Sequence, residues 1–513
     1  MFDAERAAGV LCPLFALRGR RDWGIGEIGQ LPAFCRWLAG AGHRVLQLLP
    51  IFETSAGERS PYAALTSFAL DPIYLSLDAV EDFVAAGGEA ALGAALEPAR
   101  AGGDLDYDAV RAVKRRALEL AFARFLATEW AGRSARALAF RRFRAAEAAW
   151  LDDHALFRAL REARGGRAWS AWEPPLRRRA PAALAGAGVA RARSFHAYVQ
   201  WLAAEQWTAA RREAAALGVR VMGDLAFVVA GDSADVWVRQ DEFTRDASLG
   251  APPDAFNARG QQWGLPACRW EVMAGGGYAW LGARVARAAA LFDGVRLDHV
   301  VGFYRQYLIP PVGPGRFVPA DEAEQLALGE RLLGVIRVAA GPAAITGEDL
   351  GAVPDFVRRS LGRLGIPGYR VLRWEDDAGV FRDPLAFPRL SVATSGTHDT
   401  SSLATWWEDE LGAEGRRALA AVPAFRALAG ATAGFTPAVH EALLDGLYAA
   451  GSALVVLPFP DAYGGRERIN VPGTAGPPNW GYRLPWTVDD LAGDSGGALR
   501  ARLRSLAARH GRA

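Results

Sequence analysis

Gly294-Val295-Arg296-Leu297-Asp298-His299 is the stretch that decides the fold of this 513-residue chain. It is a short, mainly apolar run that ends in a carboxylate, which is typical of a buried strand giving way to a loop. Two similar segments follow, with Glu348 in Gly347-Glu348-Asp349-Leu350-Gly351 and Asp399 in Gly396-Thr397-His398-Asp399-Thr400. In a parallel α/β barrel, catalytic residues come from the carboxyl ends of the strands. We therefore expect the three acids to meet at one site.

Apolar, strand-like runs recur along the chain with helical patterns between them. The predicted strands are 45–50, 219–229, 294–300, 343–348, 369–374, 390–396 and 453–459, and residues 45–50 are expected to be the first buried strand. The predicted helices are 31–41, 279–292, 322–339, 354–364 and 437–450, with a last one over 499–510. Because parallel strands need crossover connections, usually helical, this alternation predicts an α/β fold, a (β/α)8 barrel with embellished loops.

The domain organisation follows from the composition of the region between the first two predicted strands. Residues 106–216 are rich in Ala, Arg, Glu and Leu with helical periodicity, interrupted by prolines between 174 and 181. We predict one catalytic barrel domain over 1–513, with a mainly helical insertion over about 96–216 and no separate C-terminal β-domain. The alternative is a doubly wound open sheet, but no Gly-x-Gly-x-x-Gly turn follows residues 45–50, where a dinucleotide-binding fold would carry one.

Charge and lysine content exclude several functions. A formal net charge of +2 gives no reason to expect nucleic acid or a membrane as a partner. Lys114 is the only lysine, so a phosphate-binding Gly-Lys-Ser/Thr loop is impossible. Since Lys114 lies in the helical run Val113-Lys114-Arg115-Arg116, we interpret it as part of a solvated helix face. This argues against a Schiff-base lysine for pyridoxal phosphate.

Metal and cofactor sites are not expected either. The three cysteines, Cys12, Cys35 and Cys268, are too scattered for a disulfide framework or a zinc cluster. The seven histidines include no pair at His-x-x-x-His spacing. The N-terminal segment carries acids where a signal peptide would be basic, and no apolar stretch is as long as a membrane helix. The sequence predicts a cytoplasmic enzyme without metal or cofactor.

Two of the acids have neighbours that fit them for different steps of one reaction. Arg296 and Asp298 are two residues apart on a strand and so project to the same side, where the guanidinium would keep Asp298 ionised, as a nucleophile requires. The apolar residues before Glu348 would raise its pKa and make it a proton donor. Its rival, Asp349, points to the opposite face, and we expect it to cap the helix near Pro354. Each motif alone could also be structural.

Other polar and aromatic residues complete a sugar-binding pattern. Asp399 and His398 could bind sugar hydroxyls, while Asp224, at another strand end, could contact substrate or hold Arg296. Glucan sites combine such groups with aromatic platforms, because sugars present apolar ring faces as well as hydroxyls. The aromatic candidates lie in Gly/Pro-rich loops and are Tyr62, Trp263 and Trp480, the last within an expected ordered loop over 464–486. Together these features indicate glycosidic-bond chemistry.

The chain resembles the amylomaltase-type 4-α-glucanotransferases of glycoside hydrolase family 77 over nearly its whole length. The segments that carry the resemblance are Pro13-Leu14-Phe15, Gly24-Ile25-Gly26-Glu27, Gln47-Leu48-Leu49-Pro50, Ser60-Pro61-Tyr62, Gly250-Ala251-Pro252-Pro253-Asp254, Gln261-Gln262-Trp263-Gly264, Arg468-Ile469-Asn470-Val471-Pro472-Gly473-Thr474 and Asn479-Trp480. Two positions depart from the family pattern. Ala226 stands where the family usually has Pro, and Pro460 stands where it usually has Gln.

The resemblance implies a role for each candidate. Asp298 would be the nucleophile, Glu348 the general acid/base and Asp399 the transition-state stabiliser. The implied substrate-binding residues are Tyr62, Asp224, Gln261, Trp263, Arg296, His299, His398 and Asn470. The implied reaction is retaining transfer of α-1,4-glucan segments from a maltooligosaccharide or starch-type donor to the 4-hydroxyl of glucose or another maltooligosaccharide. An α-amylase-like hydrolase, or a barrel that only binds glucan, remains the alternative.

Overall fold

Eight parallel strands form the centre of the molecule, which a computed structural model describes over residues 6–100, 104–253 and 260–513. In chain order they are β1 (Ala7–Leu11), β2 (Val45–Gln47), β3 (Arg220–Leu225), β4 (Gly294–Leu297), β5 (Ala344–Gly347), β6 (Gly368–Val371), β7 (Ser391–Thr394) and β8 (Leu454–Pro458). Their spatial order is β5-β4-β3-β2-β1-β8-β7-β6. Gly347 donates its N–H to the carbonyl of Pro367 over 2.9 Å, between the end of β5 and the start of β6. The predicted (β/α)8 barrel is confirmed.

Strand β1 lies between β2 and β8 and was missing from the sequence-based prediction. The expectation that residues 45–50 form the first strand is therefore wrong, because Val45–Gln47 is the second. The sequence of β1 is Ala7-Ala8-Gly9-Val10-Leu11, in which Ala and Gly have weak strand preference. Gly9 is required there, since a Cβ atom would lie 2.5 Å from the carbonyl oxygen of Val45. Close packing between β1 and β2 therefore requires glycine at position 9, although glycine by itself has a weak strand preference.

Helices pack around the barrel at nearly the positions that periodicity predicts. Those that follow or precede barrel strands are Leu31–Gly40, Ala190–Ala216, Ala279–Leu291, Glu322–Ala340, Asp355–Leu364, Pro437–Ala449 and, near the end of the chain, Asp494–Arg509. Each buries an apolar face, as Leu332, Leu333 and Ile336 show for Glu322–Ala340. Burial of these faces against the strands forms one continuous apolar core.

A further group of helices lies between β2 and β3. The longer ones are Tyr107–Phe125, Ala135–Ala146 and Ala148–Ala163, and the shorter ones are Glu81–Ala85, Glu97–Arg100, Pro174–Arg177 and Pro181–Ala185. The short helices at Pro174 and Pro181 each begin with proline, in agreement with the interruption seen in the sequence.

Lys114 does not lie on a solvated helix face, so that prediction is wrong. Its side chain is 1% exposed. Its Nζ donates to Glu27 over 2.7 Å and to the carbonyl oxygens of Ile73 and Leu75 over 2.6 and 2.8 Å. The adjacent arginines made the run look solvated, but tertiary packing of Tyr107–Phe125 buries the lysine and satisfies all three of its donors.

Two loops on the carboxyl side of the barrel fold into a small antiparallel sheet. Its strand order is Arg316–Val318, Gln306–Ile309, Ser248–Ala251 and Gln261–Gln262, so the loops after β3 and β4 are joined. The other short elements are the strand pairs Phe243–Thr244 with Ala267–Cys268 and Asp376–Asp377 with Val380–Phe381, and the helices Ala234–Val238, Trp270–Gly275, Leu403–Thr405, Gly412–Ala420 and Phe459–Tyr463. Within the described ranges, no helix combines the length and apolarity that crossing a membrane requires.

Candidate active site

The acids singled out in the sequence lie at or just beyond the carboxyl ends of four barrel strands. Asp224 is in β3, Asp298 directly follows β4, Glu348 directly follows β5, and Asp399 lies in the loop after β7. The parallel arrangement carries all four to the same face of the barrel. This is the face on which barrel enzymes assemble catalytic residues.

Arg296 connects two of these carboxylates. Its Nη1 lies 2.7 Å from each oxygen of Asp224 and 3.0 Å from Oδ1 of Asp298. Arg296 and Asp224 are direct partners in the ladder between β3 and β4, which explains the alignment of their side chains. Although burial opposes the charge of Arg296, the neighbouring Asp224 raises its pKa well above the ordinary value. The guanidinium of Arg296 therefore stays charged beside Asp298.

Glu348 lies in a different electrostatic environment. Burial raises its pKa to about 8, helped by the negative charge of Asp298 and opposed by Arg296. Its Oε2 accepts a hydrogen bond of 2.8 Å from the backbone N–H of His299, the residue after Asp298. Below pH 8 this carboxyl is therefore neutral and holds a proton beside an arginine-paired carboxylate. The direction of the pKa shift agrees with the expectation from its apolar flank.

Asp349 is structural, but it does not cap the following helix as expected. Helix Asp355–Leu364 begins after Pro354 without a side-chain cap. Asp349 is instead buried, accepts the backbone N–H of Tyr369 over 2.6 Å and lies 3.4 Å from Arg370. It therefore links β5 to β6, because these partners lie on the neighbouring strand rather than along its own.

His299 stands next to Asp298 in an unusual backbone conformation. Its φ of 46° and ψ of 54° are left-handed, which a non-glycine residue rarely adopts. Burial lowers the pKa of its imidazole to about 4, so the ring is neutral at ordinary pH. The ring of Trp263 meets it edge-on, with centroids 4.8 Å apart. Trp263 in turn donates its indole N–H to Oε1 of Gln261 over 3.2 Å.

Asp399 is held by the loop over 464–486. Asn470 donates from Nδ2 to Oδ1 of Asp399 over 2.7 Å, and its backbone N–H donates to the carbonyl of His398 over 3.0 Å. Nε2 of His398 lies 3.4 Å from the same carboxylate oxygen. Arg468 donates to the carbonyl of Asp399 over 2.6 Å. The predicted ordered loop thus packs directly against the His-Asp pair.

Tyr62 joins the Asp399 side of the site to the Arg296 side. Its hydroxyl donates to Oδ2 of Asp224 over 2.7 Å, and burial together with that carboxylate raises its pKa well above the ordinary value. Its ring stacks on His398 with centroids 5.2 Å apart and an interplanar angle of 17°. The ring centroid of Trp480 lies 5.8 Å from that of Tyr62 and 5.9 Å from that of His398. Tyr62 is therefore fixed at both its hydroxyl and its ring.

Every site residue expected from the sequence joins one connected set. From Tyr62, contacts lead through Asp224 and Arg296 to Asp298, and through His398 to Asp399 and Asn470. The rest of the set is reached through His299, the residue after Asp298, which contacts Glu348 and Trp263, and Trp263 in turn contacts Gln261. Asp254, part of one family-like segment, lies outside the described residues. No three or more His, Cys, Asp or Glu side chains converge as a metal site in the described part of the chain.

Two residues that were not among the predicted site residues support the Asp399 loop. Arg373, just after β6, donates to the carbonyl of Ser395 and to the hydroxyl and carbonyl of Ser401 over 2.8–3.2 Å. Asp461 accepts from the hydroxyl of Ser395 over 2.6 Å and from the N–H of Leu403 over 2.7 Å. Together they hold both ends of the loop. Only the presence of a polar residue two or three positions beyond an apolar strand could have signalled them.

The two departures from the family pattern lie beside the site rather than among its acids. The carbonyl oxygens of Ala226 and Phe227 both accept from the buried guanidinium of Arg284. Pro460 is buried in the first turn of Phe459–Tyr463, one residue before Asp461. Neither contacts Asp298, Glu348 or Asp399 in any hydrogen bond or ring contact of the described residues.

Similar known proteins are found by both sequence and structure. The chain is 35% identical to a 4-alpha-glucanotransferase from Thermus thermophilus, over 98% of this chain and 99% of that protein. It is 31% identical to a 4-alpha-glucanotransferase from Chlamydia trachomatis serovar D, over 96% and 94% of the two chains. An amylomaltase from Streptococcus agalactiae, solved in complex with acarbose, superposes with a TM-score of 0.83 at 26% identity, over 99% of this chain and all of that one.

A sequence profile of one enzyme family spans most of the chain. The profile of Glyco_hydro_77, described as 4-alpha-glucanotransferase, matches residues 12–488, which include every candidate site residue. This match, together with a relative above 30% identity along almost the full length of the chain, shows the family. The chain belongs to the 4-alpha-glucanotransferase family, Glyco_hydro_77.

Proposed function

We propose that this protein is a retaining 4-α-glucanotransferase that transfers α-1,4-glucan segments between sugar chains. The observation that carries the proposal is the contrast between two neighbouring acids: Asp298 is paired with Arg296, whereas Glu348 has a pKa of about 8. A retaining glycosidic enzyme needs one ionised nucleophile and one protonated donor at the same bond. Family membership supports the same reaction class.

In the first step, Asp298 attacks the anomeric carbon of the donor glucan as the bond to the glycosidic oxygen breaks. Glu348 transfers its proton to that oxygen, so the leaving chain departs with a free hydroxyl and the donor segment remains as an ester on Asp298. In the second step, ionised Glu348 accepts the proton of an acceptor 4-hydroxyl. The acceptor oxygen then attacks the anomeric carbon and releases Asp298. Two inversions at one carbon give net retention.

The remaining residues position the sugar at the cleavage point. Asp399 would accept hydrogen bonds from sugar hydroxyls and stabilise a distorted ring, while Asn470 and His398 hold its carboxylate. Arg296 would orient and charge-stabilise Asp298. The stacked Tyr62 would face the same sugar, because its ring is fixed against His398.

Transfer to sugar rather than water requires that the acceptor bind well and that water be excluded. Trp263, Gln261 and His299 lie on the side of Glu348 and would contact the acceptor, whereas Asn470 lies in the loop that covers the other side. The substrates we propose are α-1,4-glucans and maltooligosaccharides as donors and glucose or maltooligosaccharides as acceptors. Nucleic acid and membranes are not expected partners.

Incubation with pure maltotriose tests the proposed reaction. A transferase gives glucose together with a ladder of longer maltooligosaccharides while the number of reducing ends stays constant. A hydrolase of the α-amylase type instead increases the number of reducing ends without forming the ladder. Binding of maltotriose without either kind of product would indicate a barrel that only binds glucan. Hydrolysis and binding without reaction would each overturn the proposal.

Two further expectations from the sequence stand as proposals. We infer a cytoplasmic location, which fractionation of the source cells would test. We also propose one catalytic barrel domain with a mainly helical insertion over about 96–216. A single cooperative unfolding transition in calorimetry would support the single domain, whereas two independent transitions would contradict it.

A further inference from the structure

A cavity of about 210 Å³ extends from the proposed acid/base to an aromatic pair that has no role in the mechanism above. Glu348, His299 and Trp263 line this cavity together with Tyr307 and Phe317. The two aromatic residues come from the loop after β4, within the small antiparallel sheet. The cavity therefore connects the site of bond formation with a second aromatic surface.

Tyr307 and Phe317 are built as a fixed surface. They are directly opposite one another on the strands Gln306–Ile309 and Arg316–Val318, and their ring centroids are 5.1 Å apart at 62°. Both are only half-buried, unlike most aromatics of the core. Gly315 lies under the ring of Tyr307, since a Cβ atom there would be 2.5 Å from ring atoms. The guanidinium of Arg305 is 4.0 Å from the ring centroid of Phe317 and donates to the carbonyl of Ala352.

The reaction geometry decides which part of a glucan this surface would meet. Glu348 protonates the oxygen of the departing chain and later activates the acceptor hydroxyl at the same place. The sugar that carries this oxygen must therefore lie in the space that Glu348 faces, which is this cavity. The donor sugar lies on the other side of Asp298, near Asp399 and Tyr62.

We propose that Tyr307 and Phe317 form an acceptor subsite for a glucosyl unit beyond the sugar that contacts Trp263 and His299. This inference rests on the proposed glucanotransferase function and adds a determinant of acceptor length. The apolar face of a glucosyl ring would pack on the aromatic pair, and the hydroxyl of Tyr307, which makes no hydrogen bond within the described residues, would be available to a sugar hydroxyl. Glucose as an acceptor is too short to occupy both positions.

The test is the dependence of acceptor KM on chain length. Transfer from one fixed donor is measured with glucose, maltose and maltotriose as acceptors, for the parent protein and for Tyr307→Ala and Phe317→Ala. We expect each substitution to raise the ratio of the maltotriose KM to the glucose KM by about tenfold, the scale of one aromatic packing contact. Tyr307→Phe should restore most of the parent ratio, because it keeps the ring.

Val312→Ala is the matched control, since it removes an apolar side chain that is 90% exposed from the same hairpin and does not line the cavity. Equal KM increases for glucose and maltotriose, or an unchanged ratio in both alanine variants, would overturn the subsite. Thermal unfolding of each variant identifies a folding defect, in which case Tyr307→Leu and Phe317→Leu, which keep apolar bulk but remove the ring, must raise the ratio or the subsite is refuted. Failure of the parent protein to form a maltotriose ladder would refute the proposed function instead, and is seen before any variant is measured.

Discussion

The backbone N–H of His299 donates a hydrogen bond of 2.8 Å to Oε2 of Glu348. This bond favours the charged carboxylate, yet burial and the nearby Asp298 outweigh it, and the pKa of Glu348 is about 8. The left-handed backbone of His299 directs its N–H toward β5 while Asp298 stays beside Arg296. A single turn after β4 thus positions both proposed catalytic carboxyls.

The first prediction is that transfer activity is lost on the alkaline side. Glu348 must be protonated to donate to the glycosidic oxygen, so kcat/KM should fall about tenfold per pH unit above pH of about 8. The pH profile of maltotriose disproportionation measures this. Glu414→Gln is the control, because it changes an exposed carboxyl outside the site and should keep the same alkaline limb. A profile that stays flat to pH 10 would show that Glu348 is not the donor.

The second prediction is that Glu348→Gln stabilises the fold at alkaline pH while it abolishes transfer. The pKa of Glu348 is raised from 4.5 to about 8 in the folded protein. Its contribution to stability is therefore fully present below pH 4.5, falls as pH rises, and is lost above pH 8, where the folded protein contains a buried charge. A glutamine never ionises and avoids this loss.

Scanning calorimetry at pH 4.5 and pH 8.5 measures the effect. We expect the Tm of Glu348→Gln relative to the parent to be higher at pH 8.5 than at pH 4.5, by roughly 1–3 °C. Glu414→Gln, at an exposed position, is the matched control and should show no such difference. The same Tm difference at both pH values would contradict the raised pKa.

The third prediction concerns the nucleophile. Asp298→Asn should lower turnover of maltotriose at least about 10³-fold, because an amide is a poor nucleophile, whereas oligosaccharide binding should persist. Calorimetric titration with maltotriose and product analysis measure the two quantities separately. Asp489→Asn, an exposed aspartate outside the site, should behave as the parent. Turnover within tenfold of the parent would refute the assignment of Asp298.

The fourth prediction separates the two contacts of Tyr62. Tyr62→Phe loses only the hydrogen bond to Asp224 and should lower kcat/KM about tenfold, whereas Tyr62→Ala also loses the stack on His398 and should lower it about 100-fold. Steady-state kinetics of maltotriose disproportionation compares them. If the phenylalanine variant were as impaired as the alanine variant, the ring contact would have no function of its own.

The barrel could be predicted largely because its strands are short apolar runs with a polar residue directly after them. Local sequence patterns also mark Asp298, Glu348 and the four helices next to β4 to β8. The predicted bounds of these helices differ from those of the structure by only a few residues. Strand β1 has none, because Ala7, Ala8 and Gly9 gain their place only by packing against β2 and β8. The burial of Lys114 could not be predicted for the same reason, since its partners at Glu27 and residues 73–75 are distant in sequence.

Contacts between distant loops were also beyond prediction from the sequence. The bond from Asn470 to Asp399, the support of residues 395–403 by Arg373 and Asp461, and the meeting of Tyr307 with the cavity at Glu348 each join separate parts of the chain. The family resemblance assigned roles to single residues. The contacts between those side chains do not follow from the resemblance, because they depend on the assembled barrel.

The pairing of Ala7 with Leu454 in the seam between β1 and β8 has a consequence for biosynthesis. This seam joins strands from opposite ends of the chain, so a ribosome must have made nearly the whole protein before the barrel can close. Asn470, which holds Asp399, emerges later still. A nascent chain that already contains Asp298 and Glu348 therefore cannot yet carry out transfer, and chain truncation before Leu454, which removes β8, should give an aggregation-prone product with unpaired strand edges rather than a weaker enzyme.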